Sequence, residues 1–448
     1  MTNCLGAAEI RALEHLKSAK AQAAESWSVE GAVRIREAAV VGAGTMGRGI
    51  ALSIASAGIG VTLVDTNAEA LKAARDAIEA DVERAVARGR LSRSAGEVAI
   101  EKIYWADDIS AIPDVGIIIE AVFERLELKQ EIIAALDRRF AGRTILATNT
   151  STLDIDTIAA ASNHPDRVVG LHFFSPANVM PLIEIVKGSA TGSDVIATSV
   201  RLAMALSKSG IVVGNCYGFA GNRMVEGMGR EANRLLLEGT GVEEIDSALR
   251  AFGMAMGPLE VADLVGIDVP YQARRANSQA LPGDTAYYRM ADRLFELGRF
   301  GRKTGRGYYL HRPTSGGGAD PDIARLAQIE RERLRVTPRI AAATEIVDRC
   351  VLPLVNEGAR ILEEGIAERA SDLDLIFTLG YGFPATLGGP MHYADSVGVA
   401  QILSRIERYR RAGGDYWEPA PLLRRLAANG QGFGDFDQDR RKGKGGTA

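Results

Sequence analysis

The stretch Gly42-Ala43-Gly44-Thr45-Met46-Gly47 constrains the fold of this chain more than any other. An apolar run, residues 38–41, leads into it, and a helical pattern, residues 48–57, leads out. Gly42 permits the tight turn out of a strand. Gly44 has no side chain to block a pyrophosphate, and Gly47 lets helix and strand pack closely. The free N–H groups where the helix starts, at Thr45 and Met46, favour anionic phosphates. One such loop is weak evidence by itself. Here a second apolar run, residues 61–64, follows and ends in Asp65, a carboxylate placed to accept both hydroxyls of an adenosine ribose. It would repel a 2′-phosphate, so the expected cofactor is NAD, not NADP. The alternative is a glycine-rich turn in an α/β protein that binds no cofactor.

Short apolar runs recur at 116–121, 144–147, 168–173, 182–186 and 211–213, with helical patterns between them. Runs without polar alternation are what a parallel sheet shows when helices cover both its faces. Residues 35–214 therefore read as a Rossmann-type doubly wound sheet. Beyond Gly214 the strand signals stop and a long helical pattern occurs twice. Asn222-Arg223, Leu235 to Gly239, Gly257-Pro258 and Asp263 to Gly266 return in order as Asp348-Arg349, Ile361 to Gly365, Gly389-Pro390 and Asp395 to Gly398. Two matching Gly-Pro landmarks point to an internal repeat. The expected organisation is an N-terminal linker helix over 1–34, the sheet domain over 35–214, and helical repeat 1 over 215–312. A flexible linker over 313–340, with its Gly316-Gly317-Gly318, leads to repeat 2 over 341–438. A disordered tail over 439–448 ends the chain.

Bulk properties exclude several classes. A formal charge of −4, from 53 basic and 57 acidic residues, argues against a nucleic-acid or anionic-membrane binder. No apolar run approaches the roughly 20 residues of a membrane span. The N-terminal residues carry charges throughout and read as a helix, not a signal peptide. The terminal Gly-Thr-Ala is no peroxisomal address. Three scattered cysteines with no CxxC give no disulfide framework and no metal motif, so a reducing cytoplasm is the expected location.

Two further clusters carry chemistry. Thr148-Asn149-Thr150-Ser151-Thr152 follows the run 144–147, at a strand end where such sheets bind ligands. An ordinary helix N-cap would use the same residue types. Leu171-His172-Phe173-Phe174-Ser175-Pro176 places a histidine in an apolar strand, and Glu184 sits between Leu182-Ile183 and Ile185-Val186. A histidine there is commonly core. A glutamate in such a run needs a partner, because glutamate is almost never buried unpaired. If the strands are neighbours, Glu184 can hold one nitrogen of His172, which fixes the tautomer and leaves the other to take a hydroxyl proton. Glu124 and Lys129 follow the run 116–121, either beside a cofactor cleft or as a solvated helix start.

With these residues in place, the sequence resembles the L-3-hydroxyacyl-CoA dehydrogenases from about Arg36 onward. The resemblance rests on the glycine loop, Asn149-Thr150-Ser151, His172 to Pro176, Asn222-Arg223, Met256-Gly257-Pro258 and Lys303 to Tyr309. The duplicated helical unit is similar to the dehydrogenase half of multifunctional fatty-acid oxidation enzymes, without their preceding enoyl-CoA hydratase domain. The resemblance implies oxidation of (S)-3-hydroxyacyl-CoA to 3-oxoacyl-CoA by NAD, with no metal. It implies His172 as base, Glu184 as its orienting carboxylate, and Ser151 and Asn222 as contacts to the substrate oxygens. Gly42, Gly44, Thr45, Met46, Gly47, Asp65, Glu124, Lys129, Asn149, Ser151, Ser175 and Lys303 fall at cofactor positions. Arg88 falls at a coenzyme A position, while Asp81 replaces a serine at another. A hydratase partner is compatible with this picture. A monomer is expected, with a dimer as the alternative. Asp348, at the position of Asn222, marks repeat 2 as a brace and not a second active site.

Overall fold

In the computed structural model, residues 5–27, 31–276, 285–311 and 318–445 are described. They divide into two units. One comprises Leu16–Ala220 with Gly365–Glu368; the other comprises Met1–His15, Gly221–Glu364 and Arg369–Ala448. Among the described residues no helix is long and apolar enough to cross a membrane.

The chain opens with α1 (Ala7–Glu25), inside the segment expected as a linker helix. The sheet unit then runs β1 (Glu37–Val41), α2 (Thr45–Ser56), β2 (Gly60–Val64), α3 (Ala68–Ala87), α4 (Arg93–Glu101), β3 (Ile103–Ala106), β4 (Ile117–Glu120), α5 (Leu126–Phe140), β5 (Ile145–Thr148), α6 (Ile155–Ala159), β6 (Val168–Phe173), β7 (Leu182–Lys187), α7 (Ser193–Ala205) and β8 (Ser209–Gly214). The eight strands lie in the order β3-β2-β1-β4-β5-β6-β7-β8. Strands β1 to β6 are parallel, β7 runs antiparallel to β6, and β8 is parallel to β7. The order reverses between β1 and β4, the switch point at which doubly wound sheets bind their ligands.

The apolar runs are buried because both faces are covered. Ile117 and Ile119 pack with Ile50, Ile54, Ile78 and Val195 on one side. Ile118, between them in sequence, packs with Ile133, Leu136 and Phe140 on the other. Strand β3 had no such signature. It pairs only with β2, and Tyr104 within it is exposed. An edge strand need not be apolar on both faces, so its pattern reads as a loop.

The helical unit holds α8 (Gly221–Glu238), α9 (Val242–Phe252), α10 (Pro258–Val265), α11 (Asp268–Ala276), α12 (Arg289–Glu296), α13 (Asp322–Leu334), α14 (Ala343–Glu363), α15 (Ala370–Gly380), α16 (Pro390–Val397), α17 (Val399–Gly413), α18 (Pro421–Asn429) and α19 (Phe433–Gly445). Two sequence expectations are corrected here. The linker 313–340 contains α13, which buries Ile323, Leu326, Ala327 and Glu330 along one stripe; residues 313–317 lie outside the described residues. The expected disorder from 439 is also wrong as far as Gly445, because α19 continues through it; residues 446–448 lie outside the described residues. Asp395 accepts the Phe433 and Gly434 N–H groups where α19 begins, and Phe433 is buried. That tertiary anchor holds the start of a helix that is polar apart from Phe433 and Phe436 and its glycines.

The repeat is real in three dimensions. Helices α8 and α14 pack with reciprocal ion pairs: Arg223 reaches Glu357 and Glu364 at 2.6 Å each, and Arg349 reaches Glu231 at 2.8 Å and Glu238 at 2.6 Å. Every one of these residues stands 126 positions from its counterpart. Gly227 faces Pro353, its own counterpart, and a Cβ on Gly227 would come within 2.7 Å of it. A contact in which i meets j′ and j meets i′ is the signature of a two-fold interface, here between two halves of one chain.

Candidate active site

The glycine loop behaves as its residues require. Gly42 has φ +104°, and a Cβ there would stand 2.8 Å from the Ala121 carbonyl oxygen. A Cβ on Gly47 would stand 1.8 Å from the Gly42 carbonyl oxygen, so strand and helix could not keep this spacing with any other residue. Gly44 differs, since a Cβ there would meet nothing within 4 Å. That open side faces the start of α2, where no side chain caps the helix. Uncapped N–H groups beside open space are what a pyrophosphate needs. Asp65 closes the loop from β2: its carboxylate accepts Ala43 N–H at 2.8 Å and Asn67 N–H at 2.9 Å. A carboxylate has about four lone-pair sites, so two remain for a ribose diol. The residues present thus fit an NAD cofactor, with Gly42, Gly44, Thr45, Met46, Gly47 and Asp65 as its holders.

The second group lies at the C-terminal ends of β4 and β5. Glu120, the last residue of β4, is fully buried and accepts Lys129 Nζ at 2.8 and 3.0 Å, Thr148 Oγ1 at 2.6 Å and Val122 N–H at 2.7 Å. Lys129 is itself 0% exposed and also lies 3.4 Å from Glu124. The geometry gives Lys129 the task of holding Glu124. Glu124 in turn accepts Thr150 Oγ1 at 2.6 Å, Ser151 N–H at 2.8 Å and Ser151 Oγ at 3.2 Å. Partial desolvation pushes the Glu124 carboxyl up, but Lys129 and the hydrogen bonds from Thr150 and Ser151 outweigh it and hold it below its ordinary value. It stays an anion, and Ser151 is oriented by donating to it. Removing one partner from such a buried pair costs about 3–5 kcal/mol, which keeps the chain of contacts intact.

The third group lies on β6 and β7. Their antiparallel register sets His172 directly across from Glu184. His172 Nδ1 lies 2.8 Å from Glu184 Oε2; Glu184 is fully buried and His172 is 8% exposed. Phe174 and Phe219 wall the imidazole, with ring centroids 4.6 and 5.8 Å away. Asn149 ties this strand to the serine cluster by accepting Phe173 N–H at 2.8 Å. Ser175 follows, at a cis peptide before Pro176. The arrangement can hold one tautomer of an imidazole and offer its second nitrogen to a hydroxyl.

The sheet unit therefore brings together His172, Glu184, Asn149, Ser151, Glu124 and Lys129. Arg88 stands exposed at the C-terminal end of α3, and Asp81 pairs with Arg84. Asn222 and Lys303 belong to the helical unit. Asn222 Oδ1 accepts the Tyr381 hydroxyl at 2.8 Å, and Lys303 pairs with Asp268. Among the described residues no group of three His, Cys, Asp or Glu side chains is placed to hold a metal ion. Sequence reasoning missed Glu120 and Phe219. A glutamate closing an all-isoleucine strand was a usable signal for the first. The left-handed turn at Gly218 and Phe219, φ +72° and +52°, gave none for the second.

Comparison with known proteins matches the chain to one family. The model of the family described as 3-hydroxyacyl-CoA dehydrogenase, NAD binding domain, matches residues 37–216. The corresponding C-terminal domain model matches twice, at 218–311 and 346–435. The peroxisomal bifunctional enzyme of Cavia porcellus is 38% identical over 426 residues, covering 90% of this chain and 58% of that protein. The chain thus spans about six-tenths of the length of the curated relatives it matches. The crystal structure of 3-hydroxybutyryl-CoA dehydrogenase from Escherichia coli K12 superposes with a TM-score of 0.76 at 29% identity, covering 88% of this chain and 99% of that one. The dehydrogenase part of multifunctional enzyme 1 from C. elegans gives 0.66 at 29% identity, covering 92% and 96%.

Proposed function

This chain belongs to the 3-hydroxyacyl-CoA dehydrogenase family, and on that premise we propose that it oxidises (S)-3-hydroxyacyl-CoA to 3-oxoacyl-CoA, with His172 as the base. The observation that carries the proposal is the cross-strand pair of His172 and Glu184 at the ligand-binding edge of the sheet. Glu184 accepts from Nδ1–H, which leaves Nε2 as the acceptor that takes the substrate's hydroxyl proton. As the imidazolium forms, the buried carboxylate across the strand stabilises it. Ser151, whose O–H makes a long 3.2 Å bond to Glu124, can redirect that O–H to the substrate oxygen, whose own single proton goes to His172. Asn222 offers its amide to the substrate's oxygen atoms. Bound NAD supplies the hydride acceptor, so that proton and hydride leave opposite ends of one C–O group.

The test is NADH formation from 3-hydroxyacyl-CoA substrates of increasing length, in both stereochemical forms. His172→Gln is expected to lower turnover by on the order of 10²–10⁴-fold, with NAD affinity retained. Wild-type turnover in that variant would overturn the assignment of the base.

A hydratase is the partner this reading implies, since hydration of an enoyl thioester yields the 3-hydroxyacyl thioester. We further propose a monomer. The α8 face that a second chain would cover is already covered by α14 of the same chain through the reciprocal arginine pairs. Light scattering at micromolar concentration measures this directly, and a dimeric mass would refute it.

A further inference from the structure

Tyr381 stands at a position where the two repeats differ. It closes α15, and its counterpart 128 positions earlier, Gly253, closes α9. Gly253 has φ +113°, the usual left-handed glycine at a helix end, with no side chain to offer. Tyr381 instead keeps a negative φ of −116° and lays its ring on Phe377, with centroids 4.9 Å apart and planes 20° apart. Its hydroxyl donates to Asn222 Oδ1 at 2.8 Å. The ring also passes so close to the start of α8 that a Cβ on Gly221 would lie 2.5 Å from it. Three features thus serve one contact: a stacked ring, a glycine that clears its path, and a hydroxyl on the amide.

The contact has a chemical consequence. An asparagine side chain can present either its oxygen or its NH₂ in a given direction, and the hydrogen-bond network decides which. With Oδ1 committed to Tyr381, the edge turned elsewhere is the Nδ2 donor. A donor suits a carbonyl or developing alkoxide oxygen, the atoms present in hydroxyacyl and oxoacyl thioesters. Asp348, the counterpart of Asn222, meets only partners from its own repeat among the contacts described. It is held by Arg405 at 3.2 Å and by Arg408 and Tyr409 at 3.3 Å each.

We infer that Tyr381, contributed by the second helical repeat, is a positioning residue that fixes the amide of Asn222 in the first. The inference rests on the proposed substrate contact of Asn222. The second repeat then acts on the reaction through one hydroxyl, besides covering α8.

Tyr381→Phe keeps the stacked ring and removes only that hydroxyl. Steady-state reduction of acetoacetyl-CoA is expected to show a kcat lower by roughly 10-fold, with KM for NADH and the thermal midpoint unchanged. In an Asn222→Ala background the same change is expected to have no further effect. Wild-type kcat for Tyr381→Phe beside an impaired Asn222→Ala overturns this inference alone. A Tyr381→Phe loss that adds in full to that of Asn222→Ala also overturns it, since the hydroxyl would then act elsewhere. Full activity in Asn222→Ala overturns the substrate contact itself, and this inference with it.

Discussion

Asn222 in the first helical repeat and Asp348 in the second open the same duplicated pattern, yet their surroundings differ. Asn222 meets a tyrosine hydroxyl, whereas Asp348 is locked between two arginines and a tyrosine. A charged side chain paired in this way is a brace, and a neutral amide is the kind of group that recognises an oxygen. The helix-capping acids of the two repeats, by contrast, have stayed alike. Asp246 accepts the Leu259 and Glu260 N–H groups at the start of α10, and Asp374 accepts those of Met391 and His392 at the start of α16. Burial pushes both acids up to about 6. Their outer partners differ again: Asp246 receives the Tyr309 hydroxyl, and Asp374 receives His15 from α1. What the duplication preserves is helix capping and the α8–α14 dyad, the parts required by backbone geometry. What it lets drift are the side-chain partners around those landmarks, some from the same repeat and some, like Tyr381 and His15, from outside it.

The dyad itself gives the largest expected effect. Its two arginines are equivalent in sequence but not in burial. The Arg349 side chain is 7% exposed against a fully buried Glu231, whereas Arg223 is 21% exposed and its partners 23% and 48%. Arg349→Met is expected to cost about 3 kcal/mol, because it leaves Glu231 buried with only Arg230 at 3.6 Å. Arg223→Met should cost about 1 kcal/mol or less. Urea unfolding of both variants measures the difference, and equal losses would refute the asymmetry.

Next in size is the functional contrast. Asn222→Ala is expected to lower kcat/KM by about 10- to 100-fold, the loss of one or two hydrogen bonds to substrate. Asp348→Ala should leave kcat/KM at the wild-type value and cost only stability. A catalytic defect in Asp348→Ala would mean that the second repeat carries more of the site than a brace does.

The smallest effect is a pH dependence that separates the two caps. Raised carboxyls hold their protons more tightly when folded, so both caps lose stability as pH rises from about 4 to 6. Above that range only the second repeat has a titrating partner. Burial lowers the His15 pKa, but the hydrogen bond and charge of Asp374, with Asp437 and Asp395 nearby, outweigh it and raise it above 6.5. The stability from His15 is therefore complete below 6.5 and is lost as pH rises through the raised value. Amide exchange in α1, corrected for intrinsic rates, should lose protection as the pH rises above 6.5, while α10 does not. Protection of α1 that does not change with pH would remove His15 as its anchor.

Much of this molecule was legible in the sequence, for local reasons. Gly42 answers the left-handed turn at its own position, and Gly47 answers the Gly42 carbonyl five residues before it. The buried strands announce themselves because both faces must be apolar. The repeat shows because its Gly-Pro and Leu-rich landmarks recur in order. Strand β3, helix α13 and the end of α19 were not legible. An edge strand can be half polar, a glycine run masked the stripe of α13, and Asp395 holds the start of α19 from outside its own sequence.

The candidate site divides in the same way. His172, Glu184 and the polar run that holds Ser151 could be read from residue types and spacing, whereas Asn222 was singled out only by the resemblance to a family. That His172 faces Glu184 depends on the register of an antiparallel pair, which the turn and core packing set together. That Glu124 holds Ser151 from 27 residues away, and that Tyr381 reaches Asn222 from 159, depends on contacts far apart in the chain. A sequence determines which groups are available and which local shapes they can take. Which of them meet is decided only when the chain closes its long loops, because that cost is repaid by the whole core and not by the residues in contact.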